Sequence, residues 1–357
     1  MLWKVARMAV VAGACVVMTS AVASQALREE VHPGAFSPPP ASSNPAPSDS
    51  TPGAATATPR RSGQPSPASS SSPAPTTTRT PTASGPPPGP AQQPPVMPQP
   101  ITSVAAYGAV GNGHTDSTNA IAKAVAAAGA RGGTLYFPPG HYFVGGSGLG
   151  AGIEIRSGRP LTIAGAGSGL VTITNTNSTG GLLSIHVDHT VVQGLTLDAQ
   201  TSNTRQALGV VANDVTVQFC HILGGRQFFA IYYAGPPGAT PMAPLYDTGN
   251  RLLNDDVSDL VANDGISWSF QENSLIENLV HTGSRLAIYV DRYVTVQNEI
   301  YHPGPQAGGT AGFWISAPSD HITINNFTSY GMGGIISDNG VDVSTNITIA
   351  NERLMVP

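Results

Sequence analysis

Charged residues make up only 10% of this chain, so those that recur at matching places in a repeating pattern stand out. Asp264, Arg285 and Asp291 are three of them. Tyr232, Tyr289 and Phe313 are aromatic residues of the same stretch. Two carboxylates flanking a glycosidic bond are what hydrolysis of a sugar chain requires, one as acid and one as nucleophile or base. Asp264 and Asp291 supply such a pair. Elimination asks instead for a base that takes a proton from carbon and a cation that stabilises the enolate-like charge, a role open to Arg285 or Arg292. Sugar rings stack on aromatic faces, so the three rings suit a substrate-binding groove. Plainer readings stand beside these. Asp before Gly commonly accepts backbone N–H bonds in a turn, and scattered surface aromatics are ordinary.

What must position these residues is a repeat. The segments "DGISWS" (264–269), "LAIYVD" (286–291), "GFWISA" (312–317) and "GGIISD" (333–338) resemble one another. Their third residues, Ile266, Ile288, Trp314 and Ile335, are spaced by 22, 26 and 21. Ile231 and Val210 continue the series upstream. A second apolar segment follows each first one, as in "TVVQGLTLD" (190–198), "DVTVQFCHI" (214–222), "YVTVQNEI" (293–300) and "HITINNF" (321–327). These alternate with period two, are rich in Val, Ile and Thr, and are punctuated by Gly, Asn and Asp. No helical pattern separates them, which argues against a doubly wound α/β sheet. A unit of about 22 residues cannot bury its own apolar face, whereas stacked units can. The expectation is an all-β parallel β-helix; propeller blades need repeats nearly twice as long. Asn325 and Asn326 suit an inward amide ladder at a turn.

The repeat also serves as a ruler. With Ile231, Ile266, Ile288 and Trp314 inward, their neighbours point out. Tyr232, Ser267, Tyr289 and Ile315 then form one outward row, and Phe313, Arg285 and Asp291 lie on the same surface. A register error of one residue would turn all of them inward. Asp255, Asp256 and Asp259 in "NDDVSD" offer oxygen ligands of the kind calcium takes, or simply a polar turn. His281 and His302 read as stacked turn histidines; without a third ligand they are a poor zinc site.

The rest of the chain bounds the setting. Residues 1–24 carry Lys4 and Arg7, an apolar run and Ala21-Val22-Ala23, the pattern of a secretory signal peptide. Residues 25–100 read as a disordered Pro/Ser/Thr-rich spacer: 37–100 hold twenty of the 32 prolines, with almost nothing to bury. Residues 101–357 suffice for one sizeable core. The net charge of −5 and the lack of basic runs argue against a nucleic-acid partner. Beyond the signal, no apolar run is long enough to span a bilayer. Cleavage would leave one cysteine, Cys220. The expected location is outside the cell, free or surface-associated.

The stretch "YGAVGNGHTDSTNAI" (107–121) lacks the Lys-Ser/Thr of a phosphate loop. Asp116 or Ser117 can cap a helix running to about Ala130, with Ile121 and Val125 on one face, placed to cover the open end of the first coil. With "GGTLYFPPGHYFV" (132–144), this stretch resembles the N-terminal cap of the pectate lyase superfamily, specifically its rhamnogalacturonase and epimerase-like domains, related to the family 28 glycoside hydrolases. The resemblance implies a single-stranded right-handed parallel β-helix with an N-terminal capping helix and an extracellular polysaccharide or oligosaccharide partner. Residue by residue, "ANDGIS" (262–267) is similar to the Asn-Thr-Asp-Gly element of family 28 and keeps Asp264. "GSRLAI" (283–288) stands where Gly-Asp-Asp would be, and "AGFWIS" (311–316) lacks the histidine of Gly-His-Gly. The Asp-Pro-His-Glu signature of alginate epimerases is absent. Several pectate lyases use calcium; no cofactor is otherwise expected. Two functions follow: a secreted hydrolase or lyase of acidic or plant-type polysaccharide, with Asp264, Arg285 and Asp291 catalytic and Tyr232, Tyr289 and Phe313 binding substrate, or a non-catalytic carbohydrate-binding or cell-surface protein using the same groove.

Overall fold

Short strands with period-two alternation can bury one face only by stacking, and this chain stacks them in three parallel sheets. The computed structural model describes residues 96–145, 151–175, 180–200, 206–224, 229–259, 264–305, 311–316, 318–337 and 343–355. The expected signal peptide, and all of the expected spacer except 96–100, lie outside these residues. The sheets hold 11, 10 and 8 strands and are called I, II and III here. The chain visits them in that order and then begins again. One coil is Arg251–Leu253, Asp256–Ser258 and Asp264–Ser269. The next is Gln271–Glu277, Val280–Gly283 and Arg285–Tyr289. The one after is Arg292–Gln297, Ile300–Pro303 and Ala311–Ser316. Every strand pairs in parallel with its counterparts one coil away, giving a right-handed parallel β-helix.

Columns of side chains fill the interior. In sheet I, Val192, Val217, Leu252, Ile276, Val296 and Ile324 lie in register and are fully buried. In sheet II the column reads Ile173, Leu197, Ile222, Val257, His281 and Tyr301, also fully buried. The expected stacking of His281 on His302 is therefore off by one. His281 pairs with Tyr301 inside, while His302 pairs with Thr282 and stacks on Tyr330 at 4.4 Å.

Between sheets I and II the backbone enters the left-handed region at Asn254, Asn278, Asn298 and Asn326, a conformation asparagine tolerates better than most residues. Each amide nitrogen of the last three donates to the amide oxygen one coil earlier, at 2.9, 2.9 and 3.1 Å. The expected ladder is there, but on the outside: Asn298 and Asn326 are exposed and Asn325 is half-buried.

A helix, α1, spans Thr118–Arg131. It is Asp116 that makes the side-chain cap, accepting the Thr118 N–H at 2.9 Å; the Ser117 hydroxyl accepts the Val110 N–H. Ile121, Ala124 and Ala128 join the main core, with Val125 packed partly against it. In chain order α1 comes where the first coil would place a sheet III strand, after Ile101–Ser103 and Asn112–Asp116.

Candidate active site

The candidate site lies on the outward side of four successive strands of sheet III: Phe229–Tyr233, Asp264–Ser269, Arg285–Tyr289 and Ala311–Ser316. In the second of these the ladder slips. Asp264 pairs with Arg285 but Ile266 pairs with Leu286, so Gly265 is an extra residue in a bulge. A bulge re-aims the side chain beside it, and here it sets Asp264 opposite the outward Arg285 although Ile266, two residues on, points into the core. Arg285 Nε donates to Asp264 Oδ1 at 2.6 Å, both side chains being about one-fifth exposed. The Arg285 guanidinium lies over the Trp314 ring, 4.2 Å from its centre, within cation–π range. Burial pushes the Asp264 carboxyl above its ordinary range, against the opposing pull of the Arg285 charge and hydrogen bond.

Beside this pair runs an outward row of Tyr232, Ser267, Ala287 and Trp314. The Tyr232 ring stacks on Phe229 at 5.0 Å and 11°. Ser267 and Ser269 share a hydroxyl–hydroxyl bond of 2.9 Å. Two small residues thus lie between two aromatic ones. At about 4.8 Å per strand, Tyr232 and Trp314 stand roughly 14 Å apart.

Several expected positions need correction. The ruler paired Ile288 with Trp314, but the strands pair Ile288 with Ile315 and Ala287 with Trp314. Trp314 is therefore outward, whereas Phe313 and Ile315 are inward and fully buried. Phe313 meets Phe327 edge-on at 5.0 Å and offers no ring to a ligand. Asp291 is 1% exposed. Its two oxygens accept the backbone N–H groups of Gln271 and Tyr289, so it caps a turn and does not share the outward surface. Tyr289 is outward but half-buried, in a row with Ser269 and Ser316 rather than with Tyr232. Its ring meets Phe270 edge-on at 5.9 Å, in a small cluster with Ala239, Val290 and Tyr246. Arg292 pairs with Glu272 at 2.9 Å and lies over Tyr246.

Asp255, Asp256 and Asp259 do not converge. Asp255 is buried and accepts the N–H groups of Cys220 and Leu253, Asp256 is exposed, and Asp259 faces His281 in the interior. Among the described residues no three His, Cys, Asp or Glu side chains gather as metal ligands. Sequence reasoning missed Trp314 as a surface residue. The signal was present: Leu286-Ala287-Ile288 aligns on Phe313-Trp314-Ile315, with the variable residue in the middle.

On the outward face of these four strands, Asp264 is the one carboxylate among the described residues. The arrangement can move one proton at Asp264, hold a neighbouring charge through Arg285, and offer a flat ring at Trp314; the Tyr232 ring is stacked on Phe229 and only 9% exposed.

A right-handed parallel β-helix with an acid, a cation and aromatic rings on one sheet defines the class. The chain matches the family described as rhamnogalacturonase A/epimerase, pectate lyase-like, over residues 101–354. It belongs to that family, whose members are carbohydrate-active. No curated protein matches the chain. Among solved structures it is similar to the Agl-KA catalytic domain, at 16% identity and a TM-score of 0.47, covering 73% of this chain and 55% of that one. It is similar to the N-terminal fragment of bacteriophage Phi29 gene product 12, at 19% identity and a TM-score of 0.49, covering 70% and 46%. It is similar to the alginate lyase from Paenibacillus sp. str. FPU-7, at 13% identity and a TM-score of 0.46, covering 71% and 99%. The chain thus spans about half the length of the first two. At such identities, what those proteins act on is not carried over to this chain.

Proposed function

We propose that the protein is a secreted polysaccharide-active enzyme whose site is the outward face of sheet III around Asp264. The observation that carries the reading is the bulge at Gly265, which turns a half-buried carboxyl outward beside Arg285 and Trp314. Bulges are over-represented next to active sites, where they re-aim a side chain. Asp264 is the acid or base. Arg285 steadies its charge or that of the substrate. Trp314 is the platform for a sugar ring, with the edge of the partly covered Tyr232–Phe229 stack at the other end of the row.

One carboxylate on the described face favours proton abstraction from carbon, as in elimination, over hydrolysis by a flanking pair. Screening acidic and plant-type polysaccharides for new reducing ends and for the ultraviolet absorbance of an unsaturated sugar tests this. Elimination yields both signals, hydrolysis yields reducing ends alone, and Asp264→Asn should abolish either. The second reading is carbohydrate binding without turnover, favoured by the 2.6 Å bond that already engages the Asp264 carboxylate. Binding with neither signal, unaffected by Asp264→Asn, is its signature.

A further inference from the structure

Behind the Asp264–Arg285 pair, the aliphatic column of sheet II is broken by His281. The imidazole is fully buried between two carboxylates from different coils. Nε2 lies 3.1 Å from Asp259 Oδ2, and Nδ1 lies 3.6 Å from Glu299 Oε1. Neither Glu299 oxygen has a hydrogen-bond partner among the described residues. Three buried ionisable groups in an otherwise apolar core are expensive, and a hydrophobic side chain at 281 would continue the column.

The Asp259 carboxylate reaches toward the site. Both of its oxygens accept the N–H of Ser284, the residue before Arg285, at 3.0 and 3.1 Å. It also fills the space beside Gly265, the residue after Asp264. A Cβ on Gly265 would come within 1.8 Å of Asp259 Oδ2, and one on Gly283 within 2.3 Å. One carboxylate therefore fixes the backbone next to both members of the outward pair. His281 holds that carboxylate from behind, and Glu299 holds His281.

We infer that Asp259, His281 and Glu299 are positioning residues which seat the Gly265 bulge and so set the Asp264–Arg285 geometry. The inference rests on the proposed function for its purpose, but its contacts stand without it. The charged and titratable groups facing His281 are Asp259, Glu299 and Tyr301, with Asp264 and Arg285 beyond Gly265. Burial pushes the Glu299 carboxyl upward against the pull of His281, and Asp259 is among the groups that raise the Asp264 carboxyl.

Titrating the Asp264 carboxyl carbon by NMR in the full chain tests this, in the unaltered protein, Glu299→Gln and His281→Gln. The Asp264 midpoint should rise in His281→Gln, where Asp259 loses its imidazole partner, and shift in Glu299→Gln, where His281 loses the carboxyl behind it. The Arg285 Nε–H resonance should shift with it. An unchanged midpoint in a folded Glu299→Gln protein overturns the inference, since a side chain that only fills space would behave that way. Should His281→Gln not fold, Glu299→Gln decides, as it keeps the side chain's shape. Should neither fold, the triad is a folding element and the positioning role is wrong. A shifted midpoint with a negative carbohydrate screen removes the catalytic reading and leaves this inference standing; an unchanged midpoint with a positive screen does the reverse.

Discussion

Phe313 and Trp314 are adjacent and make opposite demands. Phe313 fills core volume against Phe327. Phe313→Ala should therefore destabilise the protein by about 3–5 kcal/mol, seen as a lowered denaturation midpoint. Trp314→Ala should leave the midpoint nearly unchanged and weaken oligosaccharide binding by ~1 kcal/mol, measured by calorimetry. The reverse pattern would mean that the strand faces the other way. Sequence alone placed the pair wrongly because it matched look-alike segments by their text. Strands match by hydrogen bonds, and unequal connections between coils slide that match by one residue, which is all a face reversal takes.

His281 also makes a residue-scale prediction. Burial alone would lower its pKa, but the hydrogen bond to Asp259 and the nearby Asp259 and Glu299 carboxyls outweigh that and raise it from 6.5 to about 9. The folded state then holds this proton more tightly than the unfolded one. Its stabilising contribution is complete below pH 6.5 and is lost as the pH rises through about 9. Thermal melts should show a loss of stability over that window that is absent in His281→Gln; parallel pH profiles for the two proteins would refute it.

At the scale of elements, α1 was legible in outline. An Asp before Thr and apolar residues at helical spacing gave both its start and its buried face. Ile121 is 1% exposed. Ile121→Asp should unfold or aggregate the domain, because it forces an unpaired charge against the core; a soluble variant with an unchanged melt would mean that α1 does not close the first coil. The bulge at Gly265 was not legible. It needs the Asp259 carboxylate lodged against residue 265, a contact between turns that no local pattern announces. Asp291 misled for a related reason. A carboxylate that accepts two backbone N–H groups looks, in sequence, like one waiting for a substrate.

For the molecule as a whole, the repeat carried most of the fold. Alternation and a period near 22 residues point to stacked coils before any contact is known, and the family match over 101–354 agrees. The site was harder, because it depends on which of two faces each residue takes in four successive coils. That division follows from the physics of a solenoid. Core columns tolerate exchange among apolar residues, so the scaffold survives errors of register that scramble the surface.

The row from Tyr232 to Trp314 takes one residue from each of four coils. A sugar polymer lying along it would act as a clamp across the stack, tying together turns of chain that otherwise touch only their immediate neighbours. Solenoids loosen from their ends inward. A clamped ligand should therefore suppress opening of the middle coils while the terminal ones go on fraying. Hydrogen exchange with and without oligosaccharide should show added protection confined to amides between about residues 229 and 316. Protection spread evenly to both ends would mean that the ligand grips somewhere else.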